Sequence, residues 1–327
     1  MKDRSRIASV LAALALLALY GAGAAIAQGY PSKPIKFVIP YPPGGASDVT
    51  ARILGQKLSE AYGQPVVIEN RPGANGNIAL DAVAKSAPDG YTILMGNVGP
   101  NAINAGLYKT LPYDPIRSFA PITLTSTVPI VLLVNPALHV KDAKELIAYI
   151  KANPDKTTFA SGGNGSATHL TAEMFKSMAV LDTVHVPYKG DASAMTGLMG
   201  GDVTFAFATI VAATPQIKGG RVKVLGIAAK SRAPSMSDVP TISESGLPGF
   251  ESTSWGGVLA PAGTPPAVIA SLQAQIARIL KMPDVKDKIA GLGADIVGSS
   301  SAEFADYLEA EIAKWSGVIK ASGATID

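Results

Sequence analysis

Short apolar segments alternate with amphipathic segments along the first third of the chain. Apolar runs rich in β-branched residues, at residues 35–39, 66–68 and 91–95, have the length of strands. The segments between them, residues 49–62 and 78–87, carry apolar residues at helical spacing, and Gly63 is placed to end the first helix. This alternation predicts βαβ units and a parallel sheet.

The same alternation returns in the middle of the chain. Strands are predicted at residues 130–134, 158–160, 184–186, 203–208 and 222–228, with helices at 143–152, 170–178 and 192–199. A strand at 258–260, a helix opening at Pro265 and Pro266, and a last helix from 302 to about 322 follow. We therefore predict an α/β protein whose first lobe comprises residues 28–129 and 252–327 and whose second lobe comprises residues 130–251, joined by paired hinge strands.

The amino terminus is typical of an export signal. Lys2, Arg4 and Arg6 precede an apolar run at residues 7–19, and a stretch of small residues ends in Ala25-Ile26-Ala27. A membrane anchor is the competing interpretation, but the apolar run is shorter than the roughly 20 residues that span a bilayer. We predict that residues 1–27 are a signal peptide, cleaved after Ala27, and that the protein acts in the periplasm.

Composition excludes several classes of function. Residues 1–27 carry a net charge of +2, so cleavage lowers the formal charge from +3 to +1. A nearly neutral chain with scattered basic residues has no electrostatic footprint for nucleic acid or anionic membranes. The chain has no cysteine, which excludes disulfides, thiolate catalysis and cysteine-ligated metals. No dinucleotide, P-loop, serine-hydrolase or zinc-protease motif occurs, so we expect no cofactor and no metal.

Three loops at predicted strand ends could bind an anion. A glycine-rich turn at residues 41–48 runs directly into a helix, a second such turn lies at 161–169, and a third loop lies at 186–191. Glycine allows close approach of backbone N–H groups, and a helix start carries partial positive charge. In open α/β sheets ligands lie outside the carboxyl ends of strands. Ordinary turn and N-cap chemistry is the alternative for each loop taken alone.

Individual side chains in these loops have two interpretations each. Asp48 could hold a ligand amine or complement the helix dipole. Tyr41 could form a wall of the cleft or pack in the core, and His169 could donate to a ligand or cap its helix. Arg71 could clamp a carboxylate, but an ion pair with Glu69 is the favoured role. A secreted α/β enzyme with His169 as general base beside Ser166 is an alternative function.

The motifs together resemble one known family, the substrate-binding receptors of tripartite tricarboxylate transporters, also called Bug-type receptors. The resemblance covers the whole chain after the signal and rests on YPPGGASD, PVVIENRPGANGNIA, APDGYTILMGN, SGGNGSATHLTAEMF, HVPYKG and DVPTISESGLPGFESTSWGGVLAPAGTP, which occur in family order. It implies a type II periplasmic-binding-protein fold that closes over a small carboxylate. It also implies a non-enzymatic monomer that delivers its ligand to membrane permease subunits.

The resemblance also implies which segments contact the ligand. The residues carried over are Tyr41, Pro43, Gly44, Gly45, Ala46, Ser47, Asp48, Asn97, Ser161, Asn164, Gly165, Ser166, Thr168, His169, Tyr188, Gly190 and Asp191. Asp191 departs from the family pattern. An acid at that place would repel a second carboxylate and favour an amine. The alternative within the family is a receptor that presents its closed lobes to a sensor kinase.

Overall fold

The computed structural model describes residues 29–233 and 236–326. The predicted signal peptide, residues 1–27, lies outside the described residues. Among the helices of the described part, none is both long enough and apolar enough to cross a membrane.

The first block of the fold is built on parallel strands. Strand β1 (Ile35–Ile39), helix α1 (Ala46–Tyr62), β2 (Val66–Asn70), α2 (Asn77–Ala84) and β3 (Thr92–Asn97) follow in order. β1 lies between β2 and β3 and is parallel to both. Gly63 ends α1 in the left-handed conformation, and its N–H donates to the carbonyl oxygen of Ser59. The predicted βαβ order is therefore present here.

The second block contains the next set of α/β units. A helical turn (Gly99–Ile103) and α3 (Asn104–Leu107) lead to β4 (Phe119–Val134), α4 (Ala143–Ala152), β5 (Thr158–Ser161), α5 (Ala167–Ala179), β6 (Val184–Pro187), α6 (Asp191–Gly200), β7 (Phe205–Thr209), α7 (Ile210–Lys218) and β8 (Lys223–Ile227). β5 is parallel to both β6 and β7. β7 and β8 run antiparallel to β4.

The chain then returns to the first block. β9 (Thr253–Pro261), α8 (Pro266–Leu280), α9 (Pro283–Gly291), β10 (Asp295–Ile296) and α10 (Ser301–Ser322) complete the fold. β9 pairs antiparallel with both β3 and β4. A capping box between Ser300 and Glu303 fixes the start of α10, because each side chain accepts from the backbone N–H of the other residue.

Strand β4 connects the two blocks. Its residues 119–129 pair with β9, whereas its residues from Ile130 to Val134 pair with β7, so the pairing partner changes between Pro129 and Ile130. Successive residues of the central strands alternate between two hydrophobic clusters in each block: Phe37 and Val38 enter different clusters, as do Phe205 and Ala206. The sheet is thus buried on both faces in each block, as parallel strands require.

Two strands begin earlier than the sequence predicts, and several elements were not predicted, among them the short α3 and β10 and two helices of nine residues. β4 begins 11 residues before the predicted strand at 130, in a section with two prolines and two irregularities of register. β9 begins at Thr253 instead of 258. Helix α7 was not predicted because Pro215 lies inside it. Helix α9 was not predicted either, since it is short and its apolar residues form only a weak pattern.

Candidate ligand-binding cleft

The side chain of Asp48 stabilises the glycine turn before α1 through hydrogen bonds. Its carboxylate accepts from the N–H of Gly44 (2.9 Å), from Arg52 Nε (2.9 Å) and from Asn70 Nδ2 (2.9 Å). The hydrogen bond from Arg52 is the main cause that lowers the pKa of Asp48 to about 2. Because the Asp48 side chain is only 2% exposed, it stabilises the turn, and the residues before it form the surface of the cleft.

The second glycine loop is held in the same way by buried side chains. The hydroxyl of Ser161 bonds His185 Nε2 (2.7 Å) and accepts from the N–H of Gly163 (3.2 Å). The N–H of Gly165 donates to His169 Nδ1 (3.2 Å). Ser166 caps α5 by accepting from the N–H of His169 (3.1 Å). These contacts fix the backbone of the loop.

Asp191 connects the starts of α5 and α6 with the end of β7. Thr168 Oγ1 donates to one carboxylate oxygen (3.2 Å), and the N–H and hydroxyl of Thr209 donate to the other (3.0 and 2.9 Å). Gly162 lies so close that a Cβ on it would be 2.6 Å from Asp191 Oδ1. A side chain at position 162 would therefore displace the Asp191 carboxylate from this place.

Two cavities meet where the two blocks face each other. The main cavity has a volume of about 440 Å³, and the smaller one about 270 Å³. Asn97, Thr209 and Ser254 line both, so the two cavities form one continuous cleft. The glycine turn of α1 and the glycine loop of α5 both lie along this cleft.

Eleven of the seventeen predicted residues line the cleft. They are Tyr41, Gly44, Gly45, Ala46, Ser47, Asn97, Asn164, Gly165, Ser166, Thr168 and Asp191. Six lie outside its lining: Pro43, Asp48, Ser161, His169, Tyr188 and Gly190. Three of these six form side-chain hydrogen bonds with the backbone of the loops: Asp48, Ser161 and His169. The N–H groups of Tyr188 and Gly190 donate to the carbonyl oxygens of Ser161 and Gly162.

Several lining residues were not predicted from the sequence. They are Thr50, Met95, Ser126, Val128, Ala192, Thr209, Val211, Ala212, Ser254, Trp255, Gly256, Leu292 and Ala294 in the main cavity, with Asn75 in the smaller one. Gly99, Gly162 and Ala167 also line the smaller cavity and lie in the predicted segments 96–101 and 161–169, but were not singled out. Ser126 and Val128 belong to the section of β4 that was not predicted as a strand. Thr209 could have been predicted as a lining residue, since it directly follows the predicted strand 203–208 and lies at the same sheet edge as the other loops.

The starts of three helices face the main cavity. First-turn residues of α1, α6 and α7 line it, and the N-cap residues of these helices, Gly45, Gly190 and Thr209, form no side-chain hydrogen bond with the helix start. Uncapped helix starts leave N–H donors and partial positive charge available to an anion. Among the described residues, Asp191 is the only charged side chain that lines either cavity.

A chain of hydrogen bonds fixes the wall of the cleft between β1 and β9. Tyr41 Oη donates to Asn97 Oδ1 (3.1 Å), and Asn97 Nδ2 donates to the carbonyl oxygen of Trp255 (2.9 Å). Burial raises the pKa of Tyr41, so its hydroxyl stays protonated. Asn97 is thereby held between the two cavities.

The residues of the alternative enzyme interpretation are not arranged as a nucleophile and base. The hydroxyl of Ser166 bonds the N–H of His169 and the hydroxyl of Thr168. Within residues 29–233 and 236–326, no hydrogen bond joins it to the His169 imidazole, whose Nδ1 accepts from Gly165. No group of three or more acidic or histidine side chains in these ranges could hold a metal ion.

The fold is that of periplasmic binding proteins, since the solved periplasmic binding protein BugD is 34% identical, with a TM-score of 0.76 over 90% of this chain and 99% of that chain. A solved structure of an R. palustris protein with adipate is 37% identical, with a TM-score of 0.80 over 91% of this chain and 100% of that chain. MatC from Rhodopseudomonas palustris with bound malate is 33% identical, with a TM-score of 0.77 over 89% of this chain and 100% of that chain. The predicted periplasmic-binding-protein fold is confirmed.

Sequence relatives identify the family. The protein BugT of Bordetella pertussis is 36% identical over 96% of this chain and 98% of its own length. The chain belongs to the tripartite tricarboxylate transporter family receptors, whose family model, TctC, matches residues 50–324. The resemblance predicted from the motifs is confirmed, and with it the prediction of a solute-binding receptor and not an enzyme.

Proposed function

We propose that this protein is an exported receptor that captures a small carboxylate in the cleft and delivers it to the membrane subunits of a tripartite transporter. The relatives solved with adipate and malate support a carboxylate as the ligand class. In this proposal the protein acts in the periplasm as a monomer after cleavage behind Ala27.

One observation carries the proposal: uncapped helix starts from both blocks face the same cavity. α1 comes from the first block, and α6 and α7 come from the second. A carboxylate between them accepts hydrogen bonds from N–H groups that, in the described part of the chain, have no capping side chain. Because these dipoles are fixed before binding, they stabilise the anion without a cationic side chain.

Capture requires that the two blocks act as hinged lobes, with boundaries at residues 28–129 and 252–327 for one and 130–251 for the other. The change of pairing partner at Pro129 and Ile130 supports a hinge in β4. In the proposed cycle, the carboxylate first binds one lobe. Contacts from the second lobe then favour the closed state, because only that state contains both sets of donors.

A charge placed at the start of α1 tests this binding mode. Ala46 is an exposed residue of the first turn and lines the main cavity. In Ala46→Glu, the new carboxylate competes with the ligand for the same N–H donors and repels it. Calorimetry with adipate and malate as probes should show an affinity at least about tenfold lower, the loss of roughly 1.4 kcal/mol.

The matched control is Ala46→Gln, which has the same size without the charge. It should lose clearly less affinity than the glutamate variant. Equal affinities in the two variants would show that the start of α1 does not bind the anion. If no small carboxylate raises the melting temperature of residues 28–327 in a thermal-shift screen, the proposed function itself is wrong.

A further inference from the structure

The main cavity has an apolar wall at the side where the two blocks touch. Val128 of β4 packs against both the cluster that contains Ala294 and the cluster that contains Ile210. The loop after α9 lies against the start of α7, since a Cβ on Gly293 would lie 2.8 Å from Ile210 Cγ2 and 3.2 Å from Val211 Cγ2. A continuous apolar surface therefore crosses from one block to the other.

This wall consists of side chains that offer no charge and little hydrogen bonding. Its members are Met95, Val128, Val211, Leu292, Ala294 and one face of Trp255, all of which line the main cavity. The polar side chains around the same cavity, among them Ser47, Ser126 and Ser254, are neutral. A cavity of about 440 Å³ lies in the range of about 300–1,000 Å³ that is typical of small-molecule sites.

The position of the single acid also bears on the ligand. Asp191 lines the smaller cavity but not the main one, and its two oxygens already accept three hydrogen bonds from Thr168 and Thr209. Among the described residues, no lysine or arginine lines either cavity. A second carboxylate placed against the apolar wall would lose its hydration and meet no cation there.

We propose that the ligand is an amphipathic monocarboxylate, with its carboxylate at the helix starts and an uncharged aliphatic or aromatic body against the wall of Met95, Val128, Val211 and Leu292. This inference rests on the proposed function and names the substrate class of the same site. Burial of the body favours longer chains, by roughly a fourfold gain in affinity for each CH₂ that reaches the wall.

Calorimetry on residues 28–327 with matched acids tests this substrate class. The probes are butanoate and hexanoate, the dicarboxylates succinate and adipate of the same chain lengths, and the aromatic pair benzoate and terephthalate. We expect hexanoate to bind at least as tightly as adipate, and benzoate at least as tightly as terephthalate. Hexanoate, which has two more CH₂ groups, should bind roughly sixteenfold more tightly than butanoate.

The outcomes separate the inference from the proposed function. If adipate binds more tightly than hexanoate, or terephthalate more tightly than benzoate, the inference is overturned while the receptor function stands. If no acid of either kind binds, both are overturned. These titrations use the wild-type chain, so their results do not depend on whether a substituted protein folds.

A substitution at Leu292 tests whether the body of the ligand reaches the wall. Leu292 is half-buried and lies just beyond α9. Leu292→Lys places a cation at the wall and should shift the ratio of adipate to hexanoate affinity at least tenfold towards adipate. Leu292→Met is the matched control and should keep the wild-type ratio. An unchanged ratio in the lysine variant would overturn the placement of the ligand body.

Discussion

Glu311 is a buried carboxylate that ties the last helix to a strand of the cleft. The indole N–H groups of Trp255 and Trp315, the two tryptophans of the chain, both donate to its Oε2 at 2.9 Å. Lys314 contacts the other oxygen. Since Trp255 lines the main cavity, α10 holds one wall of the cleft in place through this acid and through the rings of Phe304 and Tyr307, which pack edge-on against Trp255.

Removal of this acceptor should destabilise the protein. In Glu311→Leu, two buried indole N–H groups lose their partner, and each unsatisfied donor costs about 1–3 kcal/mol. We expect a loss of about 2–5 kcal/mol in the free energy of unfolding, measured by urea denaturation. Glu311→Gln keeps an acceptor oxygen and should lose less. Equal stability of the two variants would contradict the role given to the carboxylate.

The sequence allows the prediction of the loops of the cleft but not of the role of each side chain in them. The turn at Gly44 and Gly45 was predicted because glycines between a strand and a helix start have a recognisable pattern. Asp48 could have been a ligand contact or a structural residue. Its structural role follows from its hydrogen bonds with Arg52, one turn further along α1, and with Asn70 of β2. The contact with Asn70 joins separate elements and is a tertiary property that the sequence pattern does not show.

At the scale of elements, β5, β6 and α5 bring two histidines together beneath the second glycine loop. The rings of His169 and His185 stack with centroids 4.0 Å apart and planes 16° apart, and Phe159 stacks on His185. Burial, followed by the positive charges nearby, lowers the pKa of His169 to about 3 and that of His185 to about 4. Glu173 lies 3.8 Å from His169 Nε2.

This arrangement predicts that the protein loses stability as the pH falls from about 6.5. Below that value the histidines of the unfolded chain bind protons, whereas the folded pair remains neutral down to about pH 4 or 3. The unfolded state then holds more protons, so acid favours unfolding. The slope is at most about 1.4 kcal/mol per pH unit for each histidine, and smaller for the more exposed His185.

Urea denaturation between pH 5 and 7 measures this slope, in a range above the titration of most carboxylates. The double variant His169→Gln, His185→Gln should show a flatter profile, even if it is less stable throughout. His139 is the third histidine of the chain and is exposed, so His139→Gln is the matched control and should keep the wild-type slope. A slope unaltered by the double substitution would assign the effect to other groups.

At the scale of the whole molecule, the order of the longer strands and helices could be predicted from the sequence. The elements at the boundary between the two blocks could be predicted only in part. The alternation of strands and helices gives the two blocks, because burial on both faces produces continuous apolar strands. The first half of β4 was missed, since Pro121 and Pro129 disrupt the strand pattern. Helix α7, which supplies Val211 and Ala212 to the cleft, was missed for a similar reason, Pro215.

Ligand binding at a cleft between hinged lobes should change shape and stability together. At about 100 times its dissociation constant, a ligand should add roughly 2.7 kcal/mol to the free energy of unfolding, and small-angle X-ray scattering should show a smaller radius of gyration than without ligand. Both effects have one cause, because the donors of α1 and those of α6 and α7 reach the carboxylate together only in the closed state. Ala46→Glu should lose both. Stabilisation without compaction would mean that the ligand binds to one lobe alone, and that β4 does not act as a hinge between Pro129 and Ile130.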